Sequence, residues 1–213
     1  MMRGIVCLLL LCATLCSGAQ TDRAPKRMAF SGYCGGMMFN TGYVLSREFS
    51  LYNSNGTMNQ RMRQQGVPFG LGGTIRIGFG RHLRIGGEGY VTTLHQRKTK
   101  GFNTVGWGGL LADCRWTKNK WTFFVGGTLG GGSVKNLILT ETSTSDFVFE
   151  DGSAAYRKYS LMCVAPFLGF EYALHERIHL IVKTDYLYSL SDTPADFTTG
   201  PRLYLGILFC HWN

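Results

Sequence analysis

Hydroxyl and imidazole groups are where chemistry in this 213-residue chain would have to start. Nucleophilic catalysis needs a nucleophile with a base in hydrogen-bond reach. The candidate bases are His82, His95, His175, His179 and His211. In the strand parse below, His95 of "TTLHQRK" reaches one rim with Thr92 and Thr93 beside it. Ser189, Ser191 and Asp192 reach the same rim from a later strand, while the other four histidines fall at or near the opposite end. Together these residues could supply a base and a nucleophile for acyl chemistry. No fixed spacing joins them, so no catalytic set is assigned, and His95 also reads as a solvated rim residue.

A second set of reactive groups is charged and lies inside apolar runs. In "GGTIRIGFGRHLRIGGEGYVTTLH", from Gly72 to His95, Leu71, Ile75, Ile77 and Phe79 share one parity, and Thr74 and Arg76 the other. Beyond "GRH", Leu83, Ile85 and Val91 oppose Arg84, Glu88 and Tyr90. Period two means strand, and Gly80 permits the bend of a hairpin. Extending the parity to other strands adds Asp113, Arg115, Glu171, Lys183, Asp185 and Arg202 to Arg76, Arg84 and Glu88. Five cations then meet four anions, a set able to satisfy itself by ion pairing and hydrogen bonding in a narrow interior. Alternation alone does not say which face is enclosed. A soluble barrel would hide Ile75 and show Arg76, whereas a barrel in lipid would do the reverse.

The elements that must position these residues are strands near 28–46, 69–79, 83–95, 102–117, 121–139, 158–173, 178–190 and 200–211. Three connections are tight, "GRH", "KNK" and "HER". The others, 47–68, 96–101, 140–157 and 191–199, are longer. Alternation of short turns with long loops and an even strand number is the pattern of outer-membrane barrels. Lipid cannot hydrogen-bond a free strand edge, so a sheet crosses it only when closed. Eight strands make a barrel whose interior side chains fill. The expected fold class is all-β, an eight-stranded antiparallel up-and-down transmembrane β-barrel. Trp116, Trp121, Tyr186, Tyr188, Phe209 and Trp212 fall near strand ends, where interfacial aromatic girdles would sit. The last run, "PRLYLGILFCHWN", places Leu203, Leu205, Ile207 and Phe209 on one face.

The N-terminal residues "MMRGIVCLLLLCATLCSGAQ" carry Arg3, an apolar run and Ser17-Gly18-Ala19, the layout of a secretory signal peptide over residues 1–19. The run is too short to span a bilayer, and Leu15 ahead of Cys16 disfavours a lipoprotein anchor. Residues 20–213 are then one barrel domain. The formal charge of +9 suits an anionic membrane surface, with a merely basic soluble surface as the plain alternative; export argues against nucleic acid. Cys34, Cys114, Cys163 and Cys210 lack metal spacing, and they permit either disulfides or unpaired packing. The glycine clusters "GLGGT", "GWGG" and "VGGTLGGGS" lack the Lys-Ser/Thr that follows a phosphate-binding loop. Glycine there fits close backbone approach or barrel curvature. Neither a metal nor a cofactor is expected.

The exported eight-stranded pattern resembles the small outer-membrane barrels of the OmpA and OmpX kind. The phrases "GGMMFNTGYV", "WGGLLADCRW" and "TLGGGSVKNL" resemble an uncharacterised family of such proteins from Bacteroidetes-like bacteria. The resemblance carries no functional residue with it. Some small barrels act on lipid acyl chains, but the His-x-Ser-Asn phrase of the lipid A deacylase barrels is absent. The expectation is therefore a non-enzymatic outer-membrane barrel with a charge-filled lumen, acting in membrane structure or through its external loops. A lipid-acting enzyme and a narrow pore are the alternatives. The expected partners are outer-membrane lipid and a protein or surface partner at the loops; "TETSTSDFVFEDGSAAYRK", with Phe147, Phe149 and Tyr156, would dock that partner or cover the mouth.

Overall fold

A computed structural model of the chain describes residues 29–52, 58–96, 101–139 and 154–212. Among these residues, eight long strands follow one another: β1 (Phe30–Gly42), β2 (Phe69–Phe79), β3 (Leu83–Gln96), β4 (Gly101–Lys118), β5 (Trp121–Leu139), β6 (Ala154–His175), β7 (Ile178–Tyr186) and β8 (Pro201–Trp212). Each pairs antiparallel with its sequence neighbours, and β8 returns to pair with β1, so the ring closes without a free edge. The proposed leader and the central part of the third long connection, with Phe147 and Phe149, lie outside the described residues.

Two of the three tight connections bend at a left-handed residue. Gly80 adopts φ +61° between β2 and β3, and Asn119 adopts φ +55° between β4 and β5; asparagine is among the few residues with a side chain that tolerate this region. At the opposite rim the first long connection contains structure of its own. Phe49–Tyr52 pairs with Met58–Met62, and Val44–Leu45 pairs with Gln65–Gly66. Strand β6 also begins earlier than expected, because Ala154–Lys158 pairs in register with Leu139–Lys135. This shortens the third connection and places Tyr156 on a strand.

The alternation along β2 decides between the two barrel orientations. Ile75 is 65% exposed on the outer wall, and Arg76 is fully enclosed. Met37, Leu71, Leu110, Leu129, Met162 and Leu205 extend the apolar outer belt round the ring, Leu110 reaching 76% exposure. So large an exposed apolar surface would be a liability in water and is what hydrocarbon favours. Aromatic residues band both rims. Trp116 with Phe123, Phe123 with Phe170, and Trp121 with Tyr172 form ring pairs toward the short-turn rim, while Phe39 with Phe69 and Tyr186 with Tyr188 do so toward the loop rim. Trp212 corrects the expected girdle. It shares the inward parity of Leu208 and Cys210, and Arg115 stacks 3.9 Å from its ring centroid.

The narrow interior is filled by matching bulk to absence. A Cβ built on Gly72 would overlap the Tyr90 ring, and one on Gly126 would overlap the Asp113 side chain. Small residues beside large ones are how a small barrel fits side chains into its lumen.

Candidate functional site

Seven of the nine charged residues expected to share the lumen are brought together there in two ion-pair clusters. Near the short-turn end, β2, β3, β4 and β6 converge. Arg84 Nε donates to Asp113 Oδ1 at 2.6 Å, and Arg84 Nη1 to Glu171 Oε1 at 2.7 Å. Arg76 Nη1 reaches the same Glu171 oxygen at 3.1 Å and Asp113 Oδ2 at 3.3 Å. Two guanidinium groups thus share two carboxylates. Arg76 and Arg84 also lie against the face of Phe124, at 4.6 and 5.1 Å. Cation–π attraction strengthens when the cation is desolvated.

The second cluster lies nearer the middle. Lys183 Nζ donates to Glu88 Oε2 at 2.7 Å and stands 3.8 Å from Asp185 Oδ2. Three rings surround the ammonium group: Tyr204 at 4.4 Å, Phe167 at 4.8 Å and Tyr90 at 4.9 Å. Glu88 also accepts hydrogen bonds from Thr128 Oγ1 at 2.6 Å and from the Tyr90 hydroxyl at 3.1 Å. The two remaining charged residues stand apart from these clusters. Arg115 lies below, against Trp212 and 3.4 Å from Ser31 Oγ. Arg202 faces Asp185 across β7 and β8 in register, and its guanidinium carbon is 5.8 Å from the Trp107 ring centroid.

The interior is therefore not a plain charge store. Phe124, Phe167, Tyr90, Tyr204, Leu111, Ile181 and Leu208 are buried among the charged groups. Sequence parity identified the charged members, but it did not separate inward apolar residues from outward ones on strands that carry both. His179 was also missed as a lumen residue; its Nδ1 is 3.8 Å from Glu171 Oε2.

A third polar layer spans the loop rim, and its strand members were within reach of the same parity rule. Asn103 shares the inward parity of Asp113, and Asn136 that of Thr128. Gln64 bridges the two, donating to Asn136 Oδ1 at 2.8 Å and accepting from Asn103 Nδ2 at 3.1 Å. Asn136 Nδ2 donates to Asp196 Oδ2 at 3.0 Å, and Thr198 Oγ1 donates to Asn103 Oδ1 at 3.2 Å. Gln64, Asp196 and Thr198 come from the first and fourth long connections, so these segments fold inward across the mouth. Nothing in a loop's composition marks such residues beforehand. Asn103 and Thr198 of this layer, with Thr92 and Arg202, are among the residues lining a cavity of about 10 Å³, room for about one water molecule.

The rim constellation built on His95 is not assembled. His95 is exposed on β3, whose neighbours are β2 and β4. Ser189 pairs with Cys163 of β6, on a different part of the wall. Thr92 turns inward to Asn40 Oδ1 at 2.9 Å, and Thr93 meets Thr104 at 3.0 Å. Ser189 and Ser191 meet one another at 3.3 Å. The strand order sets these groups apart, which linear proximity to a common rim could not reveal.

Two solved structures are similar along almost their whole lengths. Neisserial surface protein A superposes with a TM-score of 0.50 at 14% identity, covering 85% of this chain and 98% of its own. The outer membrane protein OprG of Pseudomonas aeruginosa superposes with a TM-score of 0.50 at 13% identity, covering 88% and 98% respectively. No family model matches the chain, and no curated protein matches its sequence. At these identities the likeness shows the fold. The chain has the eight-stranded fold of the small outer-membrane β-barrels, and its apolar outer wall is the face such a barrel turns to lipid.

Proposed function

We propose that residues 1–19 export this chain and that it works in the bacterial outer membrane as a non-enzymatic barrel. Its belt embeds it in lipid, and its loop rim meets a protein or surface partner. The observation that carries this reading is an interior filled at successive levels: the Arg76–Arg84–Asp113–Glu171 cluster, the Lys183–Glu88 pair, and the Gln64–Asn103–Asn136 layer across the mouth. A filled interior favours a structural or loop-presenting role over conduction. Residues exposed at the loop rim include Arg47, Arg157, Lys158 and Asp192, a mixed set suited to polar recognition.

Fractionation of expressing cells, followed by gels of unheated and boiled samples, tests location and closure together. An outer-membrane pellet with a mobility shift on boiling supports the reading; a soluble periplasmic protein without a shift overturns it. Planar-bilayer recording of the purified barrel then separates a plug from a pore. Steady ionic conductance through the wild-type barrel would overturn the plug.

A further inference from the structure

Cys34 on β1 and Cys210 on β8 stand directly opposite one another across the seam where the first and last barrel strands close the ring. Both point inward and are buried, at 0% and 4% exposure. The backbone sets how close the pair stands. Cys210 donates its N–H to the Arg177 carbonyl at 2.8 Å, on the β7 side. Its backbone is therefore turned away from β1, and Cys34 and Cys210 form a non-hydrogen-bonded antiparallel pair. This is the narrower pair type, with Cα atoms about 4.5 Å apart. Disulfides bridge Cα separations of about 4.4–6.8 Å, so the bond fits between the strands where they lie. Cys163, by contrast, faces Gly130 and Ser189 across its two pairings.

We propose that Cys34 and Cys210 are a modification site, joined as a disulfide that staples the first strand of the barrel to the last. The proposal takes one term from the outer-membrane reading, namely the oxidising compartment an exported chain crosses. The oxidant is a disulfide, carried by an exported dithiol protein or by a small molecule. One cysteine thiolate attacks it, forming a mixed disulfide and releasing one thiolate of the oxidant. The second cysteine, as its thiolate, then attacks the mixed disulfide at the sulfur of the first and displaces the other oxidant thiolate. The two cysteines give up two electrons and two protons, and the oxidant leaves as two thiols. Because the closed ring buries both groups, the exchange takes place while the seam is still open.

The test uses the full chain, expressed with its leader and recovered from cell envelopes without reductant, with free thiols alkylated at lysis. Boiled samples are compared with and without reductant on a denaturing gel, and tryptic peptides are examined by mass spectrometry. A chain closed between residues 34 and 210 cannot extend fully. The expected result is faster migration of the boiled, non-reduced wild type, loss of that difference in Cys34→Ser and in Cys210→Ser, and its retention in Cys163→Ser. Alkylation of both Cys34 and Cys210 in the envelope-derived wild type, with equal migration in the two lanes, would overturn the staple. Unheated lanes report on the barrel separately. A heat shift kept in Cys34→Ser leaves the outer-membrane reading standing whatever the thiols do, while a soluble chain with no heat shift rejects that reading even if the disulfide is found.

Discussion

Ile75 and Arg76 are adjacent in the chain and face opposite media, the first 65% exposed on the outer wall and the second wholly enclosed against Glu171 at 3.1 Å. One peptide unit separates hydrocarbon from a buried ion pair. Ile75→Arg places a guanidinium on the lipid face and is expected to lower folding stability in phospholipid vesicles by about 2–4 kcal/mol if the site lies near the midplane. Urea titration followed by tryptophan fluorescence reads this. An unchanged midpoint would mean that Ile75 does not face lipid.

Glu171 holds both Arg76 and Arg84 through a single oxygen. Glu171→Gln keeps the shape and removes the charge, leaving Asp113 to balance two buried guanidinium groups. Breaking a buried pair from one side costs about 3–5 kcal/mol, and a loss of that order is expected in the same titration. Replacing Arg84 and Glu171 together by apolar residues of similar volume should be milder than the single change.

Lys183 stands between two carboxylates, whereas Glu88 has Thr128 and Tyr90 as further partners. Lys183→Met leaves Glu88 and Asp185 without their shared cation. Glu88→Gln leaves Lys183 with Asp185 and three rings. The lysine change is therefore expected to destabilise more than the glutamate change, and a reversed order of unfolding midpoints would mean that Lys183 does not hold the two carboxylates together.

Gly72 and Gly87 are both strand glycines, but only Gly72 lies beside an inward ring. A Cβ at Gly87 finds its nearest atom, the Gly109 carbonyl oxygen, at 3.5 Å, an ordinary contact. Gly72→Ala is expected to cost about 1–3 kcal/mol through overpacking against the Tyr90 ring and the Gly89 carbonyl oxygen, and Gly87→Ala to stay within about 0.5 kcal/mol of wild type. Comparing the heat-modifiable fraction of the two variants at matched temperature checks the contrast.

Much of this arrangement could be read from spacing alone. Strands 69–79 and 121–139 appear at their expected bounds, and all nine charged residues assigned to one parity point inward. A strand has only two faces, so parity suffices to sort residues between them. It does not say where on the ring a residue sits, so His95 and Ser189 could be drawn to one rim yet lie on separated strands. Nor does it reach segments off the strand lattice. Gln64 and Asp196 enter the mouth layer through the paths of their connections, which no local pattern encodes. The inward turn of Trp212 was open to the parity rule, since Cys210 and Leu208 share its face, but proximity to the chain end suggested a girdle instead.

β1 begins and β8 ends at the same rim, as an even number of antiparallel strands requires. Under the outer-membrane reading that rim is the periplasmic one. An affinity tag or reporter fused ahead of Phe30 or after Trp212 would then stay hidden from reagents added to intact cells. Cargo meant for display would have to be spliced into a long connection. The first and fourth also carry Gln64 and Asp196 over the mouth, so an insert that pulled them away would unplug the entrance while advertising its passenger.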